Sequence, residues 1–244
     1  MLKGKTAFIT GGSGAIGAEI VKVFAREGCK VHYSYNSNPQ NAKKLDEESG
    51  KMGFSVKSHH LNVLEPSAPA KLAAEIDKNT GGIDILVNNA GLTQIMPFAL
   101  IEESDWDMIM NVNVKGMFLV TKAFIRGMIQ RRRGNIVNLG SLAGMRLLDV
   151  PVHYATAKSA VMGFTLSLAK EVARYGIRVN GVVPGMLESG VGANVPERLQ
   201  EEYKRFCTMG RAGKPEEVAE LIAFLGSDRS AYINAQMIFI DGGI

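Results

Sequence analysis

Tyr154 and Lys158 stand four residues apart in His153-Tyr154-Ala155-Thr156-Ala157-Lys158, inside a helical pattern that runs from His153 to Tyr175. That spacing puts both side chains on one helix face, one turn apart. A tyrosine hydroxyl, with an ordinary pKa of about 10, is a poor base near neutrality. A neighbouring ammonium stabilises the phenolate and lowers that pKa. The pair can then give a proton to a ketone oxygen or take one from a secondary alcohol. Ser141 lies thirteen residues before the tyrosine and directly after a strand-like run. From there its hydroxyl can hydrogen-bond a carbonyl oxygen and stabilise charge developing on it. His153 adjoins Tyr154, but one step along a helix turns it about 100° off that face, so it reads as structural. Asp149, before Pro151, reads the same way.

A second group of residues suits a phosphate. The first strand-like run ends in Thr10-Gly11-Gly12-Ser13-Gly14-Ala15-Ile16-Gly17 and passes into a helical pattern. Glycines allow a tight turn and close approach of backbone to a pyrophosphate, and the helix start offers free N–H groups to an anion. The position, at the first strand-to-helix junction, is the one a dinucleotide site requires.

These residues need a scaffold, and the chain supplies a regular one. Strand-like runs fall at Thr6–Thr10, Lys30–Tyr35, Ser55–Leu61, Ile83–Val87, Asn135–Leu139, Arg178–Val183 and Met237–Ile240. Most are apolar without alternation, as in parallel strands covered on both faces. Helical patterns lie between them, among others at Pro39–Met52, Ser104–Gln130, His153–Tyr175 and Pro215–Leu225. The alternation predicts an α/β fold, a doubly wound parallel sheet of about seven strands with helices on both faces. Its 244 residues suit one domain, 1–244. In such sheets ligands bind beyond the carboxyl ends of the strands, and the motifs sit there.

Composition excludes several classes. A net charge of +4, with no basic stripe interleaved with aromatics, argues against a nucleic-acid binder. The basic run Arg131-Arg132-Arg133 reads first as a solvated cationic helix end. No run of about 18 uninterrupted apolar residues exists, so no membrane span is expected. The first ten residues lack the apolar core of a signal peptide. Two cysteines form neither a disulfide framework nor a metal spacing, so no metal is expected and a reducing cytoplasm fits.

Together, the glycine turn, Asn88-Asn89-Ala90-Gly91, Ser141, Tyr154 and Lys158 resemble the short-chain dehydrogenase/reductase family in order and spacing, and the resemblance spans essentially the whole chain. It implies a Rossmann-like nicotinamide site built from Gly11, Gly12, Ser13, Gly14, Ala15, Ile16 and Gly17, with alanine at the family's middle glycine. It adds Asn62 and Val63 near the adenine, and Asn89, Ala90 and Gly91 along the cofactor. Pro184, Gly185, Leu187 and Ser189 would cover the nicotinamide, with Tyr154 and Lys158 touching it. Asn113 matches the fourth catalytic residue, which in relatives holds a water linking the lysine to solvent. Residues 186–212, with Val191 to Met209 at their centre, would form a mobile substrate lid. The second strand ends in Asn36-Ser37-Asn38 with no carboxylate, which removes repulsion against a 2′-phosphate and points to NADP, with NAD as the alternative.

Within the family the chain is most similar to bacterial 3-oxoacyl-(acyl carrier protein) reductases. That likeness implies reduction of a 3-oxoacyl thioester in fatty acid biosynthesis, and docking of an acidic carrier protein at Arg132 and Arg133. Relatives place a second basic site where Tyr175 stands, and the segment Met145–Asp149 departs from their glycine-rich version. The alternative is the same chemistry on a polyketide, sugar, steroid or small carbonyl compound. A nucleotide-sensing protein without activity would have no need of the complete Ser141–Tyr154–Lys158 set. The family also implies a homodimer or homotetramer.

Overall fold

The structure, a computed structural model, describes residues 1–190 and 195–244. Its centre is a seven-stranded parallel sheet of β1 (Thr6–Ile9), β2 (Lys30–Tyr35), β3 (Val56–His60), β4 (Ile85–Asn88), β5 (Gly134–Leu139), β6 (Ile177–Pro184) and β7 (Met237–Ile240). The order is β3-β2-β1-β4-β5-β6-β7, so the chain reverses its direction of winding between β1 and β4. The central strands are buried on both faces, as their uninterrupted apolar runs require: Ala7, Phe8, Ile9, Ile85, Leu86 and Val87 are fully buried. Side chains of successive residues point to opposite faces and feed two cores. On one face, Ile9, Val31 and Val87 pack with α1 (Ala15–Arg26) and α8 (Pro215–Gly226). On the other, Phe8, Leu86 and Ile136 pack with α3 (Ala68–Thr80), α5 (Met117–Arg131) and α6 (Val152–Val172). The rings of Phe8 and Phe124 meet there at 4.7 Å. The remaining helices are α2 (Pro39–Lys51), α4 (Glu103–Met110) and α7 (Glu197–Phe206).

The fold class and all seven strands agree with the sequence reading, within one or two residues at most strand ends. One helix differs. The pattern Ser104–Gln130 is α4 and α5 joined by a π-helical turn at Asn111–Gly116. The cause is local. Asn113 Nδ2 donates to the Ile109 carbonyl at 3.0 Å, four residues back. Gly116 lies so close to Val63 that a Cβ would sit 2.7 Å from its side chain. Such single turns inside helices often mark functional sites. The whole stretch Glu103–Arg131 is long and apolar enough to cross a membrane by composition. Here it turns Ile109, Val120, Phe124 and Met128 into the core.

A ladder of buried amides and hydroxyls fixes β4 and β5 to the helices beneath them. Asn88 Nδ2 donates to Thr121 Oγ1 at 2.9 Å and to Asn138 Oδ1 at 2.8 Å. Asn138 Nδ2 donates to Thr165 Oγ1 at 2.9 Å. Buried networks of this kind favour a single arrangement, and this one, in which Asn88 Oδ1 alone has no partner among the described residues, lies under the carboxyl ends of the strands.

Candidate active site

A cleft of about 1400 Å³ opens beyond the carboxyl ends of the strands, at the switch between β1 and β4. One end is the glycine turn. Gly11 has φ of +65°, a conformation that glycine adopts without strain. Gly17 packs so tightly that a Cβ would stand 2.1 Å from the Gly11 carbonyl oxygen. Gly14 precedes α1 with no side-chain cap, and the N–H groups of Ala15, Ile16 and Gly17 have no backbone partner among the described residues. They form an anion-ready helix start. Ala15 replaces the family's glycine without strain, because only Arg132 and Ala235 among the described non-glycine residues have positive φ.

Gly12 is set by packing. A Cβ there would lie 2.5 Å from the Tyr33 ring, and its N–H donates to the Ser34 carbonyl at 2.8 Å. It is buried against Tyr33, and that packing accounts for glycine at this position. Thr10, at the end of β1, was missed as a positioning residue. Its Oγ1 accepts from the N–H groups of Asn89 and Ala90, both at 2.9 Å. Asn89 Nδ2 returns the tie, donating to the carbonyls of Thr10 at 2.9 Å and Gly11 at 3.1 Å. The two turns that flank the switch are thereby locked together.

Ser34 to Asn38 and Leu61 to Leu64 line the same end of the cleft, and none of these residues is charged. Asn36 and Ser37 are exposed, and their side chains make no hydrogen bond among the described residues. Asn62 Oδ1 accepts the Leu64 N–H at 3.0 Å, which leaves its amide nitrogen as the available group.

The other end gathers Ser141, Tyr154, Lys158 and Asn113. Ser141 follows β5, and its Oγ accepts the Ala143 N–H at 3.1 Å. Tyr154 and Lys158 project from the first turns of α6. Lys158 is buried, its Nζ donates to the Leu139 carbonyl at 2.9 Å, and it lies 5.7 Å from the centre of the Tyr154 ring. Burial, which penalises the ammonium, lowers its pKa to about 8. For Tyr154 the expected lowering does not appear. Burial pushes its pKa up, and the hydrogen-bonding contact with Ser141 only partly opposes this. The reason is geometric: the ammonium is committed to the Leu139 carbonyl rather than to the phenol oxygen. In this state the tyrosine is protonated.

Asn113 sits in the π-helical turn with both amide hydrogens used, on the carbonyls of Leu92 at 2.9 Å and Ile109 at 3.0 Å. Its Oδ1 is buried and without a partner among the described residues. A Cβ on Gly91 would be 2.6 Å from that oxygen and 3.7 Å from Lys158 Nζ, so both polar atoms converge on the bare face of Gly91. Pro184, Gly185, Leu187 and Ser189 line the cleft above them. His153 is fully buried, and its Nδ1 accepts the Tyr154 N–H at 2.9 Å, which agrees with a structural role. Of the expected lid, residues 191–194 lie outside the described residues. The described part adds Arg198, Leu199, Glu202, Tyr203 and Phe206 of α7 to the cleft wall. Their i, i+1, i+4, i+5, i+8 spacing was legible as a helix stripe, though not its direction.

Comparison with known proteins agrees with this geometry. The family described as enoyl-(acyl carrier protein) reductase matches residues 11–244. The 3-oxoacyl-[acyl-carrier-protein] reductase of Thermotoga maritima is 39% identical over 243 residues, covering 100% of this chain and 98% of that protein. The enzyme of the same name from Aquifex aeolicus is 37% identical over 243 residues, with the same coverage. Among solved structures, a gluconate 5-dehydrogenase from Burkholderia cenocepacia in complex with NADP and tartrate superposes with a TM-score of 0.92. It is 31% identical, covering 99% of this chain and 95% of that one.

Proposed function

The chain belongs to the short-chain dehydrogenase/reductase family and is an oxidoreductase acting on CH–OH or C=O groups; from that premise we propose that it is an NADPH-dependent ketoreductase that converts a 3-oxoacyl thioester, carried by acyl carrier protein or coenzyme A, to its 3-hydroxyacyl form. The carrying observation is that Ser141, Tyr154 and Lys158 meet at one end of a cleft whose other end is an uncapped glycine-rich helix start. The residues fit a dinucleotide. The free N–H groups at Ala15, Ile16 and Gly17 suit a pyrophosphate, and the uncharged hydroxyls and amides at Asn36 and Ser37 suit a 2′-phosphate better than they would suit repulsion from it.

The bound cofactor supplies the hydride. Ser141 hydrogen-bonds the substrate carbonyl and fixes its oxygen beside the tyrosine. Tyr154 gives its proton to that oxygen as negative charge builds there. Lys158 stabilises the phenolate left behind, and its own proton can pass through a water held by Asn113 Oδ1, a buried acceptor without a partner among the described residues. In the reverse direction the same groups take the proton from a secondary alcohol.

Docking of an acidic carrier protein at Arg132 and Arg133 is part of this reading. Both are exposed, yet each has an internal partner: Arg132 Nη2 donates to the Arg174 carbonyl at 3.0 Å, and Arg133 Nε meets Asp84 at 3.2 Å. Five donors per guanidinium leave hydrogens for a second partner. Exposed Phe118 on α5 and Met162 and Leu166 on α6 form an apolar face that suits a homodimer or homotetramer. The likeness to a gluconate 5-dehydrogenase supports a second reading, oxidation of a polyhydroxy acid.

One assay separates these. Purified protein is mixed with acetoacetyl-coenzyme A and NADPH or NADH, and the nicotinamide absorbance is followed. Faster loss with NADPH is expected. Faster turnover with NADH would reverse the cofactor choice, and turnover of gluconate with NADP but not of the thioester would favour the second reading.

A further inference from the structure

Three chain segments meet at a single phenol hydroxyl that the catalytic reading leaves unused. Tyr203 Oη, on α7, accepts the Met186 N–H at 3.0 Å and donates to the Asp241 carbonyl at 3.0 Å. The approach depends on Gly185, where a Cβ would stand 2.1 Å from that hydroxyl and 2.9 Å from the Asp241 Cα. Both hydrogen-bonding capacities of the hydroxyl are therefore used, one on the segment expected over the nicotinamide and one on the segment after β7.

The rest of α7 is held differently. None of its residues is buried. Its C-terminal root is fixed by backbone, with Met209 N–H donating to the Gly242 carbonyl at 3.0 Å and Thr208 N–H to the Gly243 carbonyl at 3.3 Å. Ahead of that root, Tyr203 is the single α7 side chain, among the described residues, that hydrogen-bonds to a segment outside 195–206. Gln200 reaches only the Val195 carbonyl. The side chains of Arg198, Leu199, Glu202 and Phe206 face the cleft and not the core.

We propose that Tyr203 is a positioning residue that sets the height of the α7 lid over the substrate end of the cleft and couples it to the Gly185–Met186 backbone. The proposal rests on the ketoreductase reading for its kinetic consequence but not for its structural one. With the hydroxyl in place, α7 and Met186 move as one body. Without it, α7 is free to turn about its Cys207–Met209 root while Ser141, Tyr154 and Lys158, on other elements, keep their places.

Tyr203→Phe tests this, because the ring is kept and only the tie is lost. The KM for acetoacetyl-coenzyme A should rise about fivefold, as expected for one net hydrogen bond, with kcat within about twofold of the parent. Amide hydrogen exchange should quicken at Met186 and along α7 while β4 to β6 keep their protection. General loss of stability would instead quicken exchange throughout the sheet. An unchanged KM in an active enzyme, or unchanged Met186 exchange, overturns the proposal. Absence of thioester turnover in the parent protein would count against the ketoreductase reading alone, and the exchange measurement would still decide the tie.

Discussion

The two ends of the sheet are built from similar polar residues and treat them in opposite ways. At the amino ends, around Lys5, Asp84, Arg133, Arg178 and Asp228, every one of these charges is paired. Lys5 meets Asp228 at 3.2 Å, Arg133 meets Asp84 at 3.2 Å, and Arg178 donates to the carbonyls of Leu225, Ser227 and Ile233 and to Ser230 Oγ. At the carboxyl ends groups are left open: the first N–H groups of α1, the Asn113 oxygen, and a buried lysine with one carbonyl partner. Buried polar groups without partners cost stability, and a fold keeps them where a ligand or a reacting atom completes them. Charge count alone would have ranked the amino ends higher. Buried atoms without partners also occur away from the cleft among the described residues, as at Arg131 Nε near the amino ends and at His32 Nε2, so what marks the site is open polar groups that face a cavity together.

That contrast predicts separable losses. Tyr154→Phe should lower kcat about a thousandfold, the usual size of a general-acid contribution, while NADPH binding and the unfolding midpoint stay close to the parent. Fluorescence titration with the cofactor and steady-state kinetics check both halves; retained turnover would remove Tyr154 from the proton path. Arg178→Met should do the reverse. It removes four hydrogen bonds, but the Leu225 and Ser227 carbonyls keep Ser230 Oγ and the Ile233 carbonyl keeps Asn180 Nδ2 as donors, so it should cost about 1.5 kcal/mol of stability, read as a lower urea midpoint, with kcat per folded molecule unchanged. A kinetic defect in the folded Arg178 variant would mean that the two ends are coupled.

The strands, and the placement of the candidate residues beyond them, were legible for one reason. Parallel strands write themselves as apolar runs, and the candidate residues follow those runs directly. What stayed hidden depends on contacts between distant segments. The π-helical turn at Asn111–Gly116 keeps helical periodicity on both sides, so only its effect on Asn113 reveals it. Gly12 looks identical to its neighbours until Tyr33 is placed beside it. α3 went unnamed because Ala68–Thr80 is short of bulky apolar residues and buries only Pro69, Leu72, Ala73 and Ile76. Tyr203 belongs to a polar helix whose partners are some twenty and forty residues away in sequence. The pKa direction of Tyr154 was missed for the same kind of reason: helix spacing puts the lysine near the ring, but the Leu139 carbonyl decides where its ammonium points.

A pH profile sharpens the comparison further. Burial holds Lys158 near 8, below its ordinary 10.5. In the free enzyme the ammonium is charged below that pH and is lost as pH rises through it. The kcat/KM for ketone reduction should therefore fall about fivefold between pH 8 and pH 9. Stability should move the other way over the same range. The unfolded chain keeps its lysine proton up to the ordinary value, so folding releases a proton between about 8 and 10.5 and stability rises with pH there. A falling rate accompanied by falling stability would point to general alkaline unfolding rather than to Lys158.

The smallest effect belongs to the structural end. Ala235, just before β7, has φ of +57°, and its N–H donates to the Val179 carbonyl at 2.9 Å. A left-handed alanine carries a cost of about 1 kcal/mol. The backbone is held in this conformation by its neighbours, because Asn234 Oδ1 accepts the Val179 N–H at 2.8 Å and Asn180 Oδ1 accepts the Gln236 N–H at 3.1 Å. Ala235→Gly should relieve the strain but add freedom to the unfolded chain, for a net gain of about 0.5 kcal/mol. The expected result is a slightly higher urea midpoint with an unchanged slope and unchanged kinetics. A loss of stability would show that the Ala235 methyl group packs to more effect than its conformation costs. A change in KM would show that strain at the amino end of β7 is transmitted along the strand to Asp241 and Tyr203.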